Sequence, residues 1–151
     1  MQAMECFQKA SRHHEEVVAK AYLLREEAQA VRPDDENSAI EHRRAFTAAA
    51  KAFIESAASA MEKATYYRIA AECFRECGNL FQAAQSYIDA GEFDSGAQLY
   101  RDDGKFSQAI QVVRKYRSKM HHDVVDRIEL ACRLHYFRNF DLTYVCRCLI
   151  L

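Results

Sequence analysis

Three of the four glycines in this chain, Gly78, Gly91 and Gly104, stand thirteen residues apart, and each carries the same neighbours. Four positions before each is an aromatic residue: Phe74, Tyr87, Tyr100. Two positions after each is a large apolar one: Leu80, Phe93, Phe106. Small or aliphatic pairs then follow at Ala83-Ala84, Gly96-Ala97 and Ala109-Ile110. Glycine takes the left-handed backbone conformation just past a helix end without a Cβ penalty. The spacing therefore predicts short helices, each turning at a glycine and folding back on the one before. The small column Ala70, Ala83, Gly96 and Ala109 lets neighbouring helices approach closely. A lone helix of about ten residues is marginal in water, so each depends on its neighbours.

The rest of the chain fits an all-α fold. Residues 2–10 read as a short helix in which Ala3, Glu5, Cys6 and Phe7 echo Ala70, Glu72, Cys73 and Phe74, with Ser11 in the glycine's place. Residues 13–32 read as a longer helix with Val17, Ala21, Leu24, Ala28 and Val31 on one stripe. Pro33 ends it, because the residue before a proline avoids the helical region. A short polar loop, 33–37, leads to Ser38, which with Glu41 fits a capping box. The next helix runs to about residue 60, burying Phe46, Ala49, Ala50, Phe53, Ala57 and Met61. Another covers 64–77, with Tyr67, Ala70, Ala71 and Phe74 inward. The glycine array then gives helices over about 80–90, 93–103 and 106–118. A last helix over 121–137 turns Val124, Val125, Ile128, Ala131 and Leu134 inward, making about eight in all. Residues 1–137 form one helical-repeat domain in this reading. Residues 138–151 are apolar and β-branched without the polar cap a terminal repeat carries. They are read as truncated or foreign to the array, and the chain as a fragment of a longer protein.

The unit aromatic-x3-Gly-x-aromatic-x2-Ala resembles the hinge inside a tetratricopeptide (TPR) repeat. Phe74-Gly78-Leu80-Ala83, Tyr87-Gly91-Phe93-Gly96 and Tyr100-Gly104-Phe106-Ala109 carry it here. The resemblance implies a TPR-like α-solenoid of antiparallel helical hairpins. A two-helix unit of about 26 residues, against the usual 34, implies a shallower groove than the family's. The run Tyr66-Tyr67-Arg68-Ile69-Ala70-Ala71-Glu72-Cys73-Phe74, continuing through Ala84, Tyr87, Ala97 and Leu99-Tyr100-Arg101, is similar to a narrower group. These are large fungal proteins that join TPR-like repeats to a UvrD-like, superfamily 1 helicase region. That likeness implies an ATPase outside this chain. No G-x4-G-K-[ST] phosphate loop occurs, and Gly104-Lys105 leads into Phe106. Soluble NSF attachment proteins and coat subunits also use short Ala/Tyr/Gly hairpins, which makes a membrane-traffic adaptor another reading.

With 21 basic and 22 acidic residues the formal net charge is -1, giving no global field for nucleic acid or anionic membrane. No secretory signal and no apolar run long enough for a membrane span is visible, so an intracellular setting, cytoplasmic or nuclear, is expected. Cys6, Cys73, Cys77, Cys132, Cys146 and Cys148 are expected to be free thiols. Cys73 and Cys77 are four apart, looser than zinc pairs. Cys146-x-Cys148 lies in the tail, and no metal or other cofactor is expected. His13-His14 and His121-His122 are each expected at a helix start, with no orienting group for catalysis nearby. His42-Arg43-Arg44 with Glu36 and Glu41, and Arg25-Glu26-Glu27, read as solvated faces. One basic cluster, Arg114, Lys115, Arg117 and Lys119 around Tyr116, could contact nucleic-acid phosphate or cap a helix C-terminus.

The resulting expectation is a non-catalytic scaffold that binds a protein partner or another region of its own polypeptide, not a small-molecule substrate. The candidate contacts are the polar residues beside the aromatic columns: Gln82, Gln85, Asp89, Gln98, Arg101, Gln108 and Gln111. The alternatives are the repeat arm of a helicase-type ATPase and the traffic adaptor.

Overall fold

A computed structural model describes residues 2–59 and 62–138, the side chains of 2–8, 10 and 59 excepted. Seven α-helices span them: α1 Gln2–Ala30, α2 Glu36–Ser59, α3 Lys63–Glu76, α4 Leu80–Asp89, α5 Phe93–Asp102, α6 Phe106–Tyr116 and α7 His122–Arg138, with a 3-10 turn at Arg117–Lys119. No strand occurs among the described residues. The chain divides into two compact units, Met1–Ala90 and Gly91–Leu151. In the first, α1 packs on α2, α2 on α3 and α3 on α4; in the second, α5 packs on α6 and both pack on α7.

The three glycines have φ of 75°, 84° and 72°, each just after a helix. At Gly78 the hydrogen bonds explain the conserved spacing within the array. The Gly78 N–H donates to the Arg75 carbonyl at 2.9 Å, and the Asn79 N–H donates to the Phe74 carbonyl at 2.8 Å. Gly104 repeats the pattern, with its own N–H to Arg101 at 3.0 Å and the Lys105 N–H to Tyr100 at 2.7 Å. This pair of bonds is the Schellman closure of a helix C-terminus. The aromatic four residues before the glycine is thus the one whose carbonyl the closure satisfies. Its ring lies in the core: Phe74, Tyr87 and Tyr100 are all buried. The residue after each glycine immediately starts the next helix. The carbonyls of Asn79, Glu92 and Lys105 accept from the N–H groups of Ala83, Gly96 and Ala109 at 3.0, 3.1 and 3.0 Å. One residue thus ends one helix and begins the next, which is why the linkers are so short. Asn79 adds a side-chain cap, its Oδ1 accepting from the Gln82 N–H at 3.2 Å.

The core of the first unit is built on α2, where Phe53, Ala49, Ala50 and Ala57 are wholly buried, against Ala21 and Ala28 of α1 and Phe74 of α3. Ser56 is buried there too, and its hydroxyl donates to the Ala52 carbonyl at 2.8 Å. The second unit closes over Ile110, Val113, Val125, Ile128 and Cys132. At its edge the Tyr136 and Ser107 hydroxyls meet at 2.9 Å.

Several expectations are corrected. The helices expected over 2–10 and 13–32 are one helix, α1, so the described helices number seven. Ser11 does not act as a hinge, because no glycine there can take positive φ. Its hydroxyl instead reaches Glu15 at 3.4 Å, one turn on. His13 and His14 therefore lie inside α1, not at its start. The cap of α2 sits three residues earlier than expected. The Ser38 N–H donates to Asp35 Oδ1 at 2.7 Å and the Asp35 N–H to Ser38 Oγ at 2.9 Å. Asp35 supplies a carboxylate close to the free N–H groups of the helix start, which Ser38 cannot match. The last turn of the helix expected over 106–118 tightens into the 3-10 turn. Leu134, expected inward, is 55% exposed, whereas Cys132 and Tyr136 are buried. Two three-residue steps from Ile128 carry position 134 about 120° round the helix, away from the core. Arg25 is half-buried, not solvated, and pairs with Glu72 at 3.3 Å. Met61 and the tail 139–151, with Cys146 and Cys148, lie outside the described residues.

Candidate functional site

Helix α4 separates its faces cleanly. Ala83, Ala84, Ser86 and Tyr87 are buried, and the guanidinium of Arg75 hydrogen-bonds Tyr87, tying α3 to α4. Gln82, Gln85 and Asp89, three and four residues apart, form an exposed stripe on the other side. The stripe is ordered by its own bonds. Gln85 Nε2 donates to Asp89 Oδ1 at 3.2 Å, and Asn79 Nδ2 donates to Gln82 Oε1 at 3.1 Å. Phe81 stands beside it, 44% exposed. This gives a polar patch with an aromatic neighbour on a helix that is fixed from behind.

The other four candidate contacts belong to the second unit. Gln98 and Arg101 are half-buried on α5, Gln108 is half-buried on α6 and Gln111 is exposed there. Arg101 is held by Asp102, to which its Nε and Nη2 donate at 2.9 and 2.7 Å. The seven residues thus fall into one group on α4 and another on α5 and α6.

The basic cluster sits on the last turn of α6 and the 3-10 turn. Tyr116 does not present both ring faces. It stacks on Phe93 with centroids 3.9 Å apart and an interplanar angle of 13°. Lys115 lies 5.0 Å from the centre of the Tyr116 ring, and Lys119 lies 5.8 Å from that of Phe93. Arg117 bonds Glu129, which also faces Arg133 at 3.6 Å. Much of the cluster's cationic surface is therefore engaged in holding α5, α6 and α7 together.

The described thiols are built into the core. Cys73, Cys77 and Cys132 are free and buried. Burial pushes the Cys73 thiol up to about 11, so it stays neutral at ordinary pH. Cys77 Sγ donates to the Phe74 carbonyl at 3.2 Å and accepts from Thr47 Oγ1 at 3.6 Å. Among the described residues no three His, Cys, Asp or Glu side chains gather as a metal site would need. No helix among them is long and apolar enough to cross a membrane.

Two contacts have no signature in the sequence. His121, just before α7, bonds Asp94 in the first turn of α5 through its ring Nδ1, and its N–H donates to both Asp94 oxygens at 3.2 and 3.3 Å. The hydrogen bond to Asp94 raises the His121 pKa above the ordinary histidine value. The other is the Arg25–Glu72 pair between α1 and α3. Both join residues far apart in the chain, where no local pattern reports the partner. Comparison with protein families, with curated proteins and with solved structures returned no match for this chain.

Proposed function

We propose that the chain is a non-catalytic protein–protein interaction scaffold, a TPR-like α-solenoid segment of a larger multidomain protein. The observation that carries this reading is the thirteen-residue recurrence of glycine closures, each ending one short helix and beginning the next. Such helices have little use singly and gain stability by stacking. The stack then serves as a frame for its outward side chains. On α4 the frame holds Gln82, Gln85 and Asp89 in a prearranged stripe beside Phe81, which lowers the entropy cost of meeting a partner. The partner is another protein or another region of the same polypeptide.

The test is a photo-crosslinking residue introduced at Gln85 of the whole chain inside its own cell, with the adduct identified by mass spectrometry. The captured protein is then purified, and its affinity is measured against the parent and a Gln82→Ala, Gln85→Ala, Asp89→Ala triple variant. The expected loss is about tenfold, the scale of removing a few ordered polar contacts, with an unchanged circular-dichroism spectrum. Equal affinity in parent and variant would remove the α4 stripe from the account. Turnover of a substrate by the isolated chain, lost on single polar substitutions, would overturn the scaffold reading itself.

A further inference from the structure

The first unit carries a second, chemically different surface. Two open cavities, of about 530 and 560 Å³, share Ala48 and Lys51 and so run together as one groove. Every residue lining it comes from α1 or α2. Its floor is apolar and low, formed by Val17 and Leu24 of α1 and by Ala48 and Ala52 of α2. Ala48 and Ala52 are one turn apart, so a third backbone can approach closely there.

The rim is charged, and the charges do not cancel. Lys20, Arg43, Arg44 and Lys51 face two carboxylates, Glu16 and Glu55. Among the described residues no carboxylate pairs with any of the four cations; Arg43 Nε only donates to the Ala39 carbonyl of its own helix, at 3.3 Å. The distribution is also uneven. Because α1 and α2 are joined by a loop of five residues, 31–35, they run antiparallel. Arg43 and Arg44 therefore lie toward the loop end of the groove, and Glu16 and Glu55 toward the other.

We infer that the α1–α2 groove receives an amphipathic helix of a partner protein, with an apolar stripe on Ala48 and Ala52 and flanking carboxylates over Arg43, Arg44 and Lys51. The inference deepens the scaffold reading and rests on it. The apolar floor selects a helix over a nucleic-acid strand, which would use the cations and leave the aliphatic floor uncovered. The unpaired cations select acidic flanks, and their position puts those carboxylates at the end of the bound helix nearest the α1–α2 loop.

The test uses the intact chain and a displayed library of helical peptides of about twenty residues, long enough to span the groove. Their apolar face is fixed as Leu and Ala, and the flanking positions vary among Glu, Lys and Gln. The expected winners carry Glu, concentrated toward one end. Their affinity falls about tenfold on paired Arg44→Glu and Lys51→Glu, and likewise on Ala48→Trp, which fills the floor without changing charge. Arg44, Lys51 and Ala48 are exposed, so these variants keep the core, and circular dichroism verifies the fold. Winners flanked by Lys or Gln, or winners indifferent to both sets of variants, would overturn the groove assignment. So would a single-stranded RNA of similar length that binds more tightly than any peptide and loses affinity on the charge reversal. Winners that depend instead on Gln82, Gln85 and Asp89 would overturn the groove alone and leave the scaffold reading in place. The scaffold reading fails separately, by the turnover result above.

Discussion

A Cβ built onto Gly78 or Gly104 meets no atom within 4 Å. These glycines are therefore not needed for close packing; a side chain costs only what the positive φ costs. Gly78→Ala and Gly104→Ala should each lower unfolding free energy by about 1–2 kcal/mol in urea titrations. The mirror-image residue removes that cost, so D-alanine placed at Gly78 by chemical ligation should leave stability intact or raise it, since it also restricts the unfolded chain. Equal losses with both enantiomers would mean that crowding, not backbone conformation, demands glycine. Cys73 makes a separate prediction. Its thiol ionises at about 11 instead of the ordinary 9.0 because burial penalises the thiolate. In the intact fold, alkylation of Cys73 at mildly alkaline pH, read by peptide mass spectrometry, should be far slower than in denaturant. The raised value also carries a sign: the thiol's contribution is complete below 9.0, and stability is lost as pH climbs from there toward 11. Rapid labelling of the native chain would contradict the burial of this side chain.

Helix boundaries were legible where one residue type has one physical use. Glycine followed by an apolar residue marked the starts of α4, α5 and α6 at Leu80, Phe93 and Phe106. Legibility failed where several residues could serve. Ser11 and Asp35 are both plausible helix-start residues, yet only Asp35 caps one, because Pro33 stops α1 just ahead of it. Leu134 shows the limit of hydrophobicity alone, since its helical phase and not its composition turns it outward. The candidate contacts were legible only as exposed polar positions. Their division between α4 and the second unit, and the α1–α2 groove beside residues read as merely solvated, needed coordinates. The clamp of His121 on Asp94 needed them too, and it yields a pH prediction. A histidine whose pKa is raised in the fold stabilises it below the ordinary histidine range, and loses that contribution as pH rises through the raised value. NMR titration should find His121 above the ordinary value, and Asp94→Asn should bring it down. A His121 titration unmoved by that substitution would rule the clamp out.

At the scale of the molecule, the chain solves a problem common to short helices. None of α4, α5 or α6 exceeds 11 residues, too short to stand alone in water. Each is held by a neighbour through buried small and aromatic side chains, and the outer faces are left to differ. That division leaves room for a polar stripe on α4 and a cationic groove on α1 and α2 within the first unit, without disturbing either core. Both surfaces depend on the bends being where the glycines are. The most direct measurement is therefore triple-resonance NMR of the intact chain, reading backbone shifts and N–H to Hα couplings through residues 63–116. The account predicts helical shifts broken only at three points, with positive-φ couplings at Gly78, Gly91 and Gly104. Helical values running uninterrupted through any of the three glycines would contradict it.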